Sequence, residues 1–165
     1  MTEHFWQGLY EKYYKSAYLY TLSLCKNKEQ AEDIVSEGFE KALLTIETVQ
    51  NEKFLYWLLR VCKNLWIDEV RRQSRRKRAT QGLASTGVQD EDALSTLLYS
   101  ERTRRLYGGI ERLPQNYREL LVLYYFGQMP LSKIAELLGM NYSAAKTGLF
   151  RGRLLLKKIL EEDDI

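Results

Sequence analysis

The chain has 165 residues, of which 45% are hydrophobic and only two are proline, so it can form one ordinary domain or two small helical ones. Abundant Leu, Glu, Lys and Arg favour an all-α fold and argue against disorder throughout the chain. Cys25 and Cys62 match no metal-ligand spacing and make no disulfide framework, so we predict reduced thiols in a cytoplasmic protein. No signal-peptide pattern and no candidate membrane span are present in the sequence, so no membrane insertion is expected.

The net charge of +3 conceals a segregated pattern. Residues 60–78 and residues 112–160 each carry eight Lys or Arg against two Asp or Glu, a net charge of +6 in both blocks. Residues 1–59 and the tail 161–165 are acidic, at −3 and −4. Two separate cationic blocks predict two contacts with nucleic acid rather than one.

The first helix is predicted from about Glu3 to Cys25. Apolar residues recur along it at helical spacing, and its predicted core stripe is Phe5, Leu9, Tyr13, Ala17, Tyr20 and Leu24. Tyr10, Tyr14 and Tyr18 lie one turn apart on a neighbouring face. We interpret these three tyrosines as packing residues rather than as a platform on which bases stack.

The second helix is predicted to begin after Asn27, which can cap it with Gln30 as a reciprocal partner three residues later. Its predicted inner face is Ala31, Ile34, Val35, Phe39, Ala42, Leu43 and Ile46.

Asp33, Glu37 and Glu40 form an acidic strip on another face of this helix, because they are four and then three residues apart. No candidate base or metal ligand accompanies them, so the spacing does not indicate catalytic carboxylates. Two interpretations stay open: a solvated helix face, or a docking strip for a basic partner.

The third helix follows the polar break Thr48–Asn51, where Asn51 can cap it. Its apolar root consists of Leu58, Val61, Cys62 and Leu65, and Asn64 and Asp68 form its polar middle. Its basic tip consists of Arg71, Arg72, Arg75, Arg76, Lys77 and Arg78. A tip of this density suits a polyanion, because cations on phosphates release condensed counterions. The alternative is a solvated charged helix end.

Residues 79–92 are small, polar and rich in Gly, Ser and Thr, which is typical of a linker. Beyond them, Leu94, Leu97, Leu98, Leu106 and Ile110 are predicted to begin another helix, and Pro114 to start the next, which contains Tyr117, Leu120, Leu121 and Tyr124.

A helix-turn-helix is predicted near the C-terminus. Gly127–Pro130 turns the chain, Leu131–Leu138 forms the first helix, Gly139–Asn141 a tight turn, and about Ser143 to Leu160 the second helix. The second helix is basic, with Lys146, Arg151, Arg153, Lys157 and Lys158, which favours binding in the major groove of DNA.

Taken together, these segments resemble the extracytoplasmic-function sigma factors of bacterial RNA polymerase. The resemblance rests on AEDIVSEGFEKAL (31–43), FLYWLLRVCKNLWIDEVRRQSRRKR (54–78), LPQNYRELLVLYYF (113–126) and IAELLGMNYSAAKTGLFRGR (134–153). It implies an all-α fold with two small helical domains joined by a flexible linker. The corresponding ranges are 1–78 (region 2-like), 79–92 (linker) and 93–165 (region 4-like, with the helix-turn-helix).

The resemblance also implies roles for particular residues. In the family, the second helix docks on the clamp helices of the β′ subunit of core RNA polymerase, and the β flap is a further contact. This implies core binding by Asp33, Glu37 and Glu40. The third helix faces the minus-ten element, where one strand is melted and a base is extruded; the loop Thr48–Asn51 lies where the family reads that base.

The implied minus-ten residues are Asn64, Asp68, Arg71, Arg72, Arg75 and Arg76. The implied minus-thirty-five residues are Ser143, Lys146, Thr147, Arg151 and Arg153.

An anti-sigma factor is also an implied partner. No cofactor, metal or catalytic residue is implied.

Five positions depart from the usual family pattern. Ser36 and Gly38 replace a glutamine and an apolar residue, and Lys133 replaces a glutamate. Ala145 is expected to leave the helix-turn-helix core thinner, and Gly148 to mark a missing DNA contact.

The predicted function is therefore that of a sigma factor, which directs RNA polymerase to specific promoters and assists in melting them. The alternative is a stand-alone helix-turn-helix regulator, which leaves the first 60 residues and their acidic strip without a role. An enzyme is not expected, since His4 is the only histidine and no Gly-rich phosphate loop occurs.

Overall fold

The computed structural model describes residues 3–45, 51–79 and 100–163, and all regular structure within them is α-helical. The helices are α1 (Glu3–Cys25), α2 (Lys28–Thr45), α3 (Asn51–Ala79), α4 (Glu101–Glu111), α5 (Gln115–Tyr125), α6 (Leu131–Leu138) and α7 (Tyr142–Asp163). The chain divides into two compact units, Met1–Gln89 and Asp90–Ile165. The prediction of an all-α chain with two helical units is confirmed. The domain bounds stay predictions, and most of the predicted linker, the leucines at 94, 97 and 98 and the loop residues 48–50 lie outside the described residues.

Three helices form unit 1, in which α1 packs on α2 and α3, and α2 packs on α3. The predicted bounds of α1 are confirmed. Asn27 caps α2 as expected, since its side-chain oxygen accepts a hydrogen bond from the Gln30 backbone N–H at 3.0 Å. The buried apolar side chains are Leu9, Tyr13, Ala17, Tyr18, Leu19, Tyr20, Leu24, Ala31, Ile34, Val35, Phe39, Ala42, Phe54, Leu55, Leu58, Leu59 and Cys62. Phe5, by contrast, is only half-buried.

The tyrosines of α1 are packing residues, as predicted. The ring of Tyr14 lies 4.9 Å from that of Tyr10 and 5.8 Å from that of Tyr18, and the ring of Tyr10 lies 4.9 Å from that of Phe39. Tyr18 is fully buried. Partial burial is the main reason why the pKa of Tyr14 rises to about 12.

The assignment of Leu43 to the inner face of α2 is wrong. Leu43 is 56% exposed and Leu44 is 78% exposed, whereas Ala42 just before them is fully buried. The inner face of α2 is therefore still covered in this turn, and Leu43 lies off it because consecutive residues are about 100° apart around a helix. Ile46 lies outside the described residues.

Gly38 has a packing role that its helix propensity does not reveal. A Cβ atom at this position would lie 3.1 Å from Leu58 Cδ1 and 3.4 Å from Cys62 Sγ. The absence of a side chain therefore lets α2 approach the apolar root of α3 closely.

In unit 2, α7 packs on α4, α5 and α6, and α5 packs on α4 and α6. The end of α7 is tied to α4, since Arg105 donates a hydrogen bond to the Leu160 carbonyl at 2.8 Å and Arg112 pairs with Asp163 at 2.8 Å. The tight turn forms at Gly139, whose φ of 67° is left-handed.

Asn141 marks the start of the second helix of the helix-turn-helix, a role that the sequence pattern did not predict. The side-chain oxygen of Asn141 accepts a hydrogen bond from the Ala144 N–H at 2.7 Å and so caps the start of α7. The predicted bounds of α6 are confirmed, whereas α7 runs from Tyr142 to Asp163 and is slightly longer than predicted.

Two glycines of α7 make its contact with α5 close. A Cβ atom at Gly148 would lie 2.9 Å from Leu120 Cδ2, and one at Gly152 would lie 2.6 Å from Leu121 Cδ1. The expectations that Gly148 marks a missing DNA contact and that Ala145 thins the helix-turn-helix core stay predictions. Ala145 is fully buried.

Candidate polymerase and nucleic-acid interfaces

The acidic strip of α2 faces away from the core of unit 1. Asp33, Glu37 and Glu40 are all exposed, whereas Ile34 and Val35 between them are buried. Within the described part of the chain, no ion pair holds any of the three carboxylates. Leu44 lies four residues after Glu40 and continues the strip with an exposed apolar side chain.

The polar middle and the basic tip of α3 share one continuous face. Asn64, Asp68, Arg71 and Arg75 follow one another at steps of four, three and four residues, and all four side chains are exposed. The helix is uninterrupted from Asn51 to Ala79, so one rigid element carries this face.

Arg72 and Arg76 lie along one edge of that face, since Arg72 is one turn after Asp68. Arg72 lies one turn from Glu69 and its guanidinium contacts the Glu69 carboxylate, which also accepts a hydrogen bond from Gln73 at 3.3 Å. Arg76 follows Arg72 by one further turn, so it belongs to the same side of the helix. The six residues implied for the minus-ten element therefore form one broad face, with Arg72 and Arg76 along its edge.

The exposed residues of α7 also divide into two sets. Ser143, Thr147 and Arg151 are four residues apart and line a groove of about 490 Å³ together with the start of α5. The other residues that line this groove are Asn116, Tyr117, Met140, Asn141, Ala144 and Gly148. Lys146 is exposed but does not line the groove.

Arg153 is held by α5 rather than directed freely outwards. Its Nε donates a hydrogen bond to the Tyr125 hydroxyl at 3.0 Å, and its guanidinium carbon lies 4.9 Å from the centre of the Tyr124 ring. The hydrogen bond to Tyr125 is the main reason why the pKa of Arg153 is raised above its ordinary value. This contact joins residues 28 positions apart, and no sequence pattern signals it.

The cysteines are free thiols. Burial raises the pKa of Cys62 to about 12. Within residues 3–45, 51–79 and 100–163, no group of three His, Cys, Asp or Glu could hold a metal ion. No helix in these ranges is both long and apolar enough to cross a membrane.

Comparison with known proteins accounts for both units. The chain matches Sigma-70 region 2 over residues 9–76 and Sigma-70 region 4 over residues 103–156. It is 30% identical to the ECF RNA polymerase sigma factor SigM of Bacillus subtilis (strain 168) over 151 residues, which cover 92% of this chain and 92% of that protein. It is 34% identical to SigW of the same organism over 149 residues, which cover 82% and 78%.

The chain belongs to the extracytoplasmic-function (ECF) sigma factors. Members of this family act in transcription initiation with RNA polymerase and are not enzymes, so both predictions are confirmed and the stand-alone regulator is not favoured. The fold of this ECF sigma factor is also that of the sigma factor RpoE from Bartonella quintana, whose structure was solved in complex with the anti-sigma factor NepR. The TM-score is 0.73 at 20% identity, covering 97% of this chain and 98% of that one.

The candidate interfaces of the ECF sigma factor fall inside the matched regions. The acidic strip of α2 and the α3 residues up to Arg76 lie within the region 2 match, while Lys77 and Arg78 lie beyond it. Residues 143–153 of α7 and Asn116 lie within the region 4 match. Asn116 was missed at the sequence level, because it precedes the helix-turn-helix and carries no charge or periodic signal.

Proposed function

We propose that this ECF sigma factor docks on core RNA polymerase through the acidic strip of α2 and reads promoter DNA with α3 and α7. The observation that carries the proposal is that unit 1 exposes two faces of opposite character. The strip Asp33, Glu37 and Glu40 has no ion-pair partner within the described residues, and the polar-basic face of α3 is exposed along its length. Neither face contributes to the core.

The strip suits a basic surface of the polymerase, for which the family resemblance supplies the β′ clamp helices. Three carboxylates within two turns make a local negative potential that steers a cationic partner and fixes its register. The exposed Leu44 at the end of the strip adds an apolar contact that would be desolvated on docking.

The α3 face suits a strand that is being melted. Asn64 and Asp68 can hydrogen-bond to base edges, and Arg71 and Arg75 on the same face can hold the adjoining phosphates. Extruding a base costs a few kcal/mol, which such contacts can offset. Arg72 and Arg76 add phosphate contacts from the neighbouring side of the helix.

The minus-thirty-five element is assigned to α7 in unit 2, with Ser143, Lys146 and Thr147 nearest to the DNA and Arg151 and Arg153 flanking them. The β flap of the polymerase is the expected protein contact of this unit. An anti-sigma factor is a further expected partner, since the similar Bartonella quintana protein was crystallised with one. The protein would act in the cytoplasm, where RNA polymerase acts.

The test is to mix the chain with core polymerase and map transcription starts on genomic DNA. Initiation at discrete sites is the expected result, and unchanged initiation relative to core alone would contradict the proposal.

Glu37→Lys should weaken binding to core at least about fivefold, because it reverses a charge within the strip. Glu11→Lys is the matched control, since it makes the same charge change at an exposed position on α1. Equal affinities of the two variants for core would mean that the strip is a solvated helix face and does not bind the polymerase.

A further inference from the structure

The side of α7 that faces away from its own unit carries three exposed apolar side chains, which we call the outer patch. Phe150 is 64% exposed, Leu154 is 55% exposed and Leu155 is 39% exposed, although Leu149 and Leu156 beside them are buried. Phe150 and Leu154 are one turn apart and Leu155 adjoins Leu154, so the three form one surface rather than scattered residues. None of them belongs to the residues assigned above to DNA or to the polymerase.

The outer patch is bordered by positive charge, which restricts what can cover it. Arg151, Lys157 and Lys158 are exposed and lie within one turn of the patch residues. Within the described part of the chain, no ion pair holds Arg151 or Lys158. A second copy of α7 does not fit, because it would bring the same cations together. The occupant should instead combine apolar side chains with negative charge.

One segment of the chain itself has this composition. Residues 90–98, DEDALSTLL, begin with three acidic residues in succession and carry leucines at positions 94, 97 and 98. On a helix these leucines would share one face, with the acidic residues in the preceding turn. The segment lies outside the described residues, and it belongs to unit 2. It also precedes the region 4 match, which begins at residue 103, so that match gives the segment no role.

The segment is long enough to reach the outer patch within unit 2. It ends beside Ser100, the N-cap of α4, and Arg105 of α4 donates a hydrogen bond to the Leu160 carbonyl of α7 at 2.8 Å. Leu154 precedes Leu160 by about 9 Å along the axis of α7. Residues 90–99 can span up to roughly 33 Å when extended. A tether this short gives an effective concentration in the millimolar range, so even a weak contact is populated.

We propose that residues 90–98 dock on the outer patch of α7 in the free chain, with their leucines on the patch and their acidic residues among the bordering cations. The docked segment places negative charge beside Arg151 and next to the residues assigned to the minus-thirty-five element. It therefore lowers the affinity of the free chain for DNA. The contact goes beyond the proposed function, because it is a means by which the chain limits its own binding to DNA.

A disulfide between the segment and the patch tests the docking directly. Leu97→Cys is combined with Leu154→Cys in a full chain that carries Cys25→Ser, so that the buried Cys62 is the only other thiol. Mild oxidation should join the two new cysteines, as measured by mass spectrometry. The control combines Leu97→Cys with Tyr142→Cys, since Tyr142 is 55% exposed and lies about 18 Å from Leu154 along α7. Equal yields of the two disulfides would overturn the proposal.

A double-substitution cycle tests the consequence for DNA binding. The free chain is titrated with an unrelated duplex at one moderate salt concentration, so the result depends neither on polymerase nor on a promoter. Leu97→Asn and Leu154→Asn should each raise the affinity about threefold to tenfold, and the two together should raise it no further, because either change alone frees the patch. Neither substitution alters the charge of the chain. Additive effects, or affinities equal to that of wild type, would overturn the inference.

Unfolding in urea separates docking from packing in the core of unit 2. If Leu97 belonged to that core, Leu97→Asn would unfold the unit at a much lower urea concentration, as measured by circular dichroism. A docked segment instead predicts a midpoint close to that of Leu154→Asn, which removes the other side of the same contact. A much lower midpoint for Leu97→Asn than for Leu154→Asn would overturn the proposal.

Discussion

The basic end of α3 and the basic helix α7 carry similar charge but are built differently. The arginines of α3 beyond Asp68 are exposed, and Arg72 contacts Glu69, which lies one turn away on the same helix. In α7, Arg153 is braced by two tyrosines of α5 and Arg151 lines a groove. Contacts with phosphates position a protein on DNA, whereas contacts with base edges select the sequence. The comparison therefore predicts that unit 1 obtains its base contacts from the polar middle of α3, and unit 2 from α7 itself.

The largest expected effect is a loss of stability when a buried leucine in the apolar root of α3 is truncated, compared with the same truncation at an exposed leucine. Leu58 is fully buried beneath Gly38, so Leu58→Ala should lower the free energy of unfolding of unit 1 by about 2–5 kcal/mol. Leu44→Ala makes the same chemical change at a 78% exposed site and should lie within about 0.5 kcal/mol of wild type. All three tryptophans, Trp6, Trp57 and Trp66, lie in unit 1, so their fluorescence during denaturant unfolding reports on this unit. Similar losses for both variants would contradict the assignment of Leu44 to a binding surface.

The next largest effect tests whether the stability of unit 2 depends on the close contact between α7 and α5. Gly152→Ala would place a Cβ atom 2.6 Å from Leu121 Cδ1, so we expect a loss of about 1–3 kcal/mol in unit 2. Gly108→Ala is the matched control, because Gly108 lies within α4 and nothing lies within 4 Å of its added Cβ. That variant should gain about 0.5–1 kcal/mol from helix propensity. Circular dichroism follows both units, so a shift without a change in tryptophan fluorescence identifies unit 2. Destabilisation by both substitutions would mean that the close contact is not the cause.

Sequence patterns predicted the helices well, because each helix buries a periodic apolar face that the chain itself displays. The bounds of α1 and α6 and the cap Asn27 depend on residues only a few positions apart. The exposure of Leu43 was not predicted, because Leu43 lies beside the buried face of α2, where periodicity alone does not separate buried from exposed side chains. The brace on Arg153 and the position of Asn116 beside α7 depend on contacts between distant residues.

The charged residues were the least informative part of the sequence, because their roles depend on which side chains they contact and on which side of a helix they lie. Arg71 and Arg72 are neighbours in a basic run, yet the guanidinium of Arg72 contacts Glu69, whereas no contact of Arg71 with a carboxylate occurs among the described residues. Similarly, Lys146 and Arg151 lie on different flanks of α7. Charge density predicted a nucleic-acid partner but could not separate residues that read bases from residues that hold phosphates.

A third prediction concerns selectivity rather than stability. Lys146→Ala should change which upstream elements holo-polymerase prefers, since a good base contact discriminates by about 1–3 kcal/mol. Arg75→Ala should weaken binding to all promoters alike and lower the salt slope by about 0.9. Binding to a library randomised in the minus-thirty-five element measures both. If both variants weaken all sequences equally, Lys146 does not read bases, and Ser143 and Thr147 become the better candidates.

The smallest expected effect concerns the brace on Arg153, meaning its contacts with Tyr124 and Tyr125 of α5. Tyr125→Phe removes the hydroxyl that accepts the hydrogen bond from Arg153 but keeps the ring beside the guanidinium. Because the pair is exposed, we expect unit 2 to lose only about 0.5–1 kcal/mol, measured from the unfolding transition seen by circular dichroism. Tyr10→Phe is the control, since Tyr10 makes ring contacts with Tyr14 and Phe39 and no hydrogen bond to its hydroxyl occurs among the described residues. If the brace only positions α7, Tyr125→Phe should leave the preference among upstream elements unchanged. A shift in preference like that expected of Lys146→Ala would instead mean that Arg153 itself reaches the bases, and the comparison between α3 and α7 would no longer explain where sequence is read.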